Sequence, residues 1–179
     1  MAENLANVVY GLDNFVISIG AYVTAKGAGT LVDVGITEGG LEIDWGEDSL
    51  DIYADRHLGA LSQEPIKRTA TLKFVMKEVT PANALHIFGA VAGDSTGTPP
   101  NLTVEPGADN PAQYKQIQAV GHGQGSTKVR TYTFWRARRT GAVKLPQKKN
   151  EEQKWEVTYQ LLQEITGAVP SSFFKFVDA

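Results

Sequence analysis

The sequence predicts a mainly β, antiparallel sandwich or barrel with one short flanking α-helix and a long inter-strand connection. Three observations carry this. Apolar residues recur with a period of two rather than 3.6. Only one segment bears a helix start signal. Two stretches rich in polar residues, glycine and proline punctuate the pattern.

The elements follow in order. Residues 1–13 read as an N-terminal arm: they are neither basic nor followed by the apolar run of a secretory signal. In Phe15–Val23, the residues Phe15, Ile17, Ile19, Ala21 and Val23 share one face. A weaker strand is expected at Thr30–Thr37. Leu41, Ile43 and Trp45 then alternate with Glu42 and Asp44 as a half-buried strand. Residues 46–65 are acidic and polar at first and lack periodicity. They are read as a loop, and a connection of that length in a compact domain is usually functional. In Arg68–Glu78, Ala70, Leu72, Phe74 and Met76 oppose Thr69, Thr71, Lys73 and Lys77.

Thr80 is a good N-cap and Pro81 suits the first helical position, so a helix is predicted through Phe88, with Leu85 and Phe88 three apart on one face. Residues 93–111 hold four prolines and three glycines and read as loop. A weak strand at Gln116–His122 precedes Val129–Arg138, which is bulky on both faces. In Lys154–Leu162, Trp155, Val157, Tyr159 and Leu161 line one face. Residues 1–164 thus form one domain. Residues 165–179 form a C-terminal arm whose Phe173, Phe174 and Phe176 require a surface to cover them.

Composition narrows the function. A chain of 179 residues suits one domain that can bury a real core without staples. The net charge of -3 lacks the basic footprint of a protein that grips nucleic acid through phosphates. Without cysteine there is no disulfide framework, thiolate metal site or thiol nucleophile. No apolar run reaches the ~18 residues of a membrane helix, so no membrane role is expected.

Motifs for catalysis are weak. His57, His86 and His122 form no metal-binding spacing. Gly121–Lys128 is glycine-rich, but a strand follows it where a phosphate loop needs a helix, so a hairpin turn is expected. Glu42, Asp44, Glu47, Asp48, Asp51 and Asp55 cluster without the order of a calcium loop. They read as a charged surface able to meet a basic strip of Arg136, Arg138, Arg139, Lys144, Lys148 and Lys149 on a neighbour, which predicts salt-sensitive assembly. No serine lies in a nucleophile elbow. The expectation is a non-enzyme with no cofactor and no metal.

The order of elements resembles the major tail tube proteins of bacteriophages and related devices, including gene transfer agents and contractile particles. The resemblance covers about residues 31–164. It rests on Asp33-x-Gly35-x-Thr37 leading into an alternating strand, on the connection Asp51–Leu61, and on Pro65–Glu78 running into Thr80-Pro81-Ala82-Asn83. The closing elements Tyr132–Ala137, Leu145-Pro146 and Trp155–Leu162 complete it. It implies a subunit that forms hexameric rings, which stack into a hollow tube that passes DNA without binding it specifically. The implied partners are further copies of the chain, a tail tip or baseplate initiator, a terminator and, in a sheathed particle, a sheath protein. The implied place is the virion tail, assembled in the host cytoplasm. By the same resemblance, Asp48, Asp51, Tyr53, Asp55, Arg56, His57 and Leu58 would reach the adjacent ring or subunit. Leu85 and Phe88 would pack at subunit contacts. The reading weighed against it is a monomeric β-sandwich that binds a ligand such as carbohydrate through exposed Tyr and Trp.

Overall fold

A computed structural model describes residues 12–53, 60–88, 114–123, 129–144, 149, 151–164 and 172–178. Residues 1–11 of the expected N-terminal arm and all of 93–111 lie outside them.

The chain forms β1 (Leu12–Ala21), β2 (Leu31–Asp33), β3 (Thr37–Ile52), β4 (Ser62–Met76), α1 (Pro81–Phe88), β5 (Lys115–Gly123), β6 (Val129–Thr140), β7 (Trp155–Leu162) and β8 (Phe174–Asp178). Every pairing is antiparallel. The strands form one sheet in the order β2-β1-β5-β6-β7-β4-β3, with β8 also paired to β6. The two ends of that order, β2 and β3, are joined by only three residues, 34–36. The sheet must therefore curl until its ends meet, and it packs as a barrel-like shell around its own inner face.

That inner face is the core. Ile17 and Ile19 of β1, Leu72 and Met76 of β4, Ile117 and Ala119 of β5, and Val157, Tyr159 and Leu161 of β7 are buried in one cluster. These are the alternating positions that the sequence marks. Phe74 and Tyr159 stack with their ring centroids 5.9 Å apart. The Tyr159 hydroxyl is sealed in this core with no hydrogen-bond partner among the described residues, and burial pushes its pKa well above the ordinary tyrosine value.

The corner at 34–36 explains the Asp33-x-Gly35-x-Thr37 pattern. An Asp33 side-chain oxygen accepts a hydrogen bond from the Gly35 N–H at 2.9 Å, closing a tight turn. Gly35 has φ +79, and a Cβ there would meet the Glu78 carboxylate at 2.2 Å. The positive φ favours glycine, and any Cβ would push the Glu78 carboxylate off its bond to Ile36 N–H. Thr37 then opens β3. The corner is tied on three sides. Val34 N–H donates to Ile17 O at 2.9 Å, Lys77 N–H donates to Ile36 O at 2.9 Å, and Ile36 N–H donates to Glu78 at 3.1 Å.

Helix α1 starts as the sequence predicts, with Thr80 Oγ1 accepting from Asn83 N–H at 3.2 Å. Its most buried face is not the one that carries Leu85 and Phe88. Asn83, Ala84 and Ile87 are buried, whereas Leu85 and Phe88 are half-buried. Phe88 still packs edge-on against Trp155 at 5.9 Å. The reason is Asn83, whose side-chain amide donates to Val34 O and Glu78 O, both at 2.8 Å. That bracket rotates the helix so that positions 83, 84 and 87 point inward.

Candidate assembly surface

Much of the stretch read as a loop, 46–65, is strand. Gly46–Ile52 continue β3 and Ser62–Pro65 begin β4, and the two strands pair from Thr37↔Met76 out to Ile52↔Ser62. The period-two signal is missing there for a physical reason. Past Trp45 and Thr69 the ribbon leaves the barrel wall, so neither face is buried and nothing enforces an apolar side. A register shift between Asp48 and Ser49 adds twist at its middle. Another shift, between Glu38 and Leu41, accommodates Gly39 and Gly40, both at positive φ.

The projecting hairpin is apolar for something so open. Ile66 is 65% exposed, Tyr53 64% and Trp45 55%, and Leu50, Ile52 and Leu61 are exposed as well. These residues lie on one continuous ribbon. Exposed apolar surface concentrated on one element marks a contact that the monomer does not satisfy. The hairpin edges are also free. Among the described residues β3 pairs only with β4, and β4 pairs with β7 only from Ala70 onward. Unpaired edges are templates for another chain.

Polar side chains hold the ribbon straight. Arg68 and Glu47 form an ion pair at 2.5 Å at its base. Gln63 and Tyr53 donate to the Asp51 carboxylate at 2.7 and 3.2 Å. Toward the barrel, Lys73 sits 2.8 Å from Asp44 and 3.7 Å from Glu42, and Lys77 lies 3.0 Å from Glu152. Lys154 pairs with Glu38. The hydrogen bond from Lys73 lowers the Asp44 pKa, and that from Lys154 lowers the Glu38 pKa.

Of the residues expected in the contact loop, Asp48, Asp51 and Tyr53 sit on the outer half of this hairpin. Asp55, Arg56, His57 and Leu58 lie outside the described residues. The sequence reading overlooked Trp45, Leu50, Ile52, Leu61 and Ile66. For Leu50, Ile52 and Leu61 the available signal was apolar residues inside a stretch read as loop, whereas Trp45 was read as half-buried on its strand.

The described members of the basic strip do not share one face. β6 carries an extra residue relative to β5, since Ile117 pairs with Phe134 but Lys115 with Ala137. Alternation changes phase at this bulge, which is why Val129–Arg138 looks bulky on both sides. Arg136 is covered, with its guanidinium 4.0 Å from the Tyr114 ring centroid. Arg138 is exposed opposite Gln160, while Arg139 lies opposite Tyr159 and donates to Gly141 O at 3.0 Å. Lys144 and Lys149 are exposed, and Lys148 lies outside the described residues.

The aromatic C-terminal arm finds its cover on β6. β8 pairs with it from Arg130↔Asp178 to Phe134↔Phe174. Phe174 packs on Phe134 at 5.6 Å and Phe176 on Tyr132 at 5.9 Å, while Phe173 is half-buried beside the core. Trp45 and Arg68 at the hairpin base face Gln163, Ser172, Phe173 and Phe174 across an open cleft.

Among the described residues no group of histidine, aspartate and glutamate side chains is placed to hold a metal ion. No helix among them is long and apolar enough to cross a membrane.

The fold has solved counterparts. A chain in the cryo-EM structure of the anti-feeding prophage cap (AFP tube terminating cap) superposes with a TM-score of 0.51. It is 14% identical, and the match covers 99% of this chain and 97% of that one. The likeness is one of fold. A chain of an extracellular contractile injection system, in the PVC sheath/tube terminator in its extended state, matches with a TM-score of 0.48 and 12% identity, over 96% of this chain and 99% of that one. No family model and no curated protein matches the sequence.

Proposed function

We propose that this chain is a structural, non-enzymatic subunit of the tail tube of a phage or phage-like particle, self-assembling into hexameric rings that stack around a DNA-conducting channel. The observation that carries the reading is the β3–β4 hairpin. It projects from the barrel with unpaired edges and exposed Trp45, Leu50, Ile52, Tyr53 and Ile66. A monomer that kept such a ribbon in water would risk edge-to-edge aggregation, whereas a subunit uses it. The full-length fold likeness to a chain of the AFP tube-terminating cap structure supports the same reading. The net charge of -3 suits a wall that DNA passes without sticking.

In this role the partners are further copies of the chain, a tail tip or baseplate initiator, a terminator and, in a contractile particle, a sheath protein. Subunits would assemble in the host cytoplasm and reside in the virion tail. Negative-stain electron microscopy of the purified protein, with size-exclusion chromatography in parallel, tests the proposal. Rings or hollow tubes are expected, and removal of residues 46–65 should leave a folded protein that no longer stacks. A protein that stays monomeric at high concentration and in the presence of tail-tip components would overturn it.

A further inference from the structure

β8 stands off the main strand order. Ser172, just before it, bridges Glu164, and among the described residues β8 itself pairs with β6 alone, over the five residues Phe174–Asp178. It occupies the β6 edge at Arg130–Phe134, in line with β7, which takes the same edge from Arg136 to Thr140. Its outer side chains are exposed, with Phe176 57% exposed despite its contact with Tyr132. Its last described residue is the firmest point. Asp178 accepts two hydrogen bonds from the Arg130 guanidinium, at 2.5 and 2.6 Å.

Charge indicates what else that edge would accept. In the stretch that β8 covers, Arg130 is the one charged residue of β6, and Arg136, Arg138 and Arg139 lie where β7 pairs. β3 carries Glu38, Glu42, Asp44, Glu47, Asp48 and Asp51 and no base, and beyond Trp45 it pairs only with β4 among the described residues. Glu38, Glu42, Asp44 and Glu47 already pair with bases of the same chain, so the carboxylates that β3 can bring to Arg130 are Asp48 and Asp51 on its outer half. Asp178 supplies in one chain the carboxylate that β3 of another would bring.

We propose that β8 is a self-capping strand: it holds the β6 edge that the acidic β3 strand of a second copy takes during assembly, and it must peel away for subunits to join. The inference rests on the tube-subunit reading. A short cap ending in a charged residue keeps the edge from pairing early, and its single-strand attachment lets it leave.

Cysteine locking tests this. The chain has no cysteine, and Thr131 and Val177 are cross-strand partners. Cα atoms of such a pair lie about 4.5–5.5 Å apart, within disulfide range. Oxidised Thr131→Cys/Val177→Cys should remain monomeric and, once reduced, assemble like wild type, with circular dichroism confirming the same fold in both states. Asp178→Ala should assemble at a several-fold lower protein concentration than wild type. Adding Asp48→Lys and Asp51→Lys to that variant should abolish the gain. Oxidised protein that assembles as well as reduced protein would overturn the cap while leaving the tube reading intact. Undiminished assembly of the charge-reversed variant would overturn β3 as the replacing strand. If wild type, reduced and Asp178→Ala proteins all stay monomeric, the cap falls together with the tube reading.

Discussion

Replacing Asn83 with alanine removes one buried amide that braces three parts of the fold. Its Nδ2 donates to Val34 O at the β2–β3 corner and to Glu78 O at the end of β4, each at 2.8 Å, and the residue itself opens α1. Alanine keeps the helix propensity but leaves both carbonyls without that donor. A hydrogen bond contributes about 1 kcal/mol net, and an orphaned buried group costs about 1–3 kcal/mol. The Val34 bond is buried and the Glu78 bond partly so. The expected loss is therefore about 3 kcal/mol in all. For a domain of this size that lowers Tm by roughly 6–12 °C. Urea unfolding of the monomer followed by tryptophan fluorescence would measure it, with thermal circular dichroism as a second probe. Thr80→Ala is the internal comparison: it removes the helix cap alone and should cost about 1 kcal/mol. Asn83→Ala within about 0.5 kcal/mol of wild type, or less harmful than Thr80→Ala, would refute the claim that this amide fixes the corner and rotates the helix.

Other outcomes follow from the same structure. Tyr159→Phe removes a buried hydroxyl that has no partner among the described residues, so stability should hold or rise by about 1 kcal/mol in the same urea titration, and a clear loss would reveal a bond to that hydroxyl. Leu50→Lys with Ile66→Lys alters only exposed hairpin positions, so monomer stability should move by less than about 0.5 kcal/mol while rings disappear from electron micrographs. Asp44 and Glu38 have lowered pKa values, so their stabilisation is complete above the ordinary carboxylate value of about pH 4 and fades as pH falls through the lower folded values. Lys73 and Lys154 have raised values, so the same pairs persist into alkali and are lost as pH rises through those raised values. The carboxylates are exposed and their lysine partners about half-exposed, so the effect should be small and shrink further in high salt; an acid-side stability profile identical in Asp44→Asn and wild type would remove Asp44 from it.

Where one face of a strand is buried, the residues announced it. Leu72–Phe74–Met76 and Trp155–Val157–Tyr159–Leu161 alternate because their odd or even members must enter the barrel, and that constraint is written into consecutive residues. The helix start at Thr80-Pro81 and the turn at Asp33-x-Gly35 are equally local, since each depends on one side chain's reach or one residue's φ. The hairpin past Trp45 was illegible because it is wet on both faces, and a strand supported only by its partner carries no periodic mark. The inward face of α1 was not legible, because it is set by two hydrogen bonds from Asn83 to residues 49 and 5 positions away. Arg136 and Arg138 share a face and Arg139 takes the other by plain alternation, while the stacking of Arg136 on Tyr114 was set by a residue far along the chain. That the phenylalanines of the last strand lie on Tyr132 and Phe134 was likewise decided by long-range pairing. By itself the sequence determined the period of each buried strand, because burial acts on neighbouring residues. Which edges stay free, and which surface is left for other copies, only the folded arrangement decided, because edges exist between strands that are far apart along the chain.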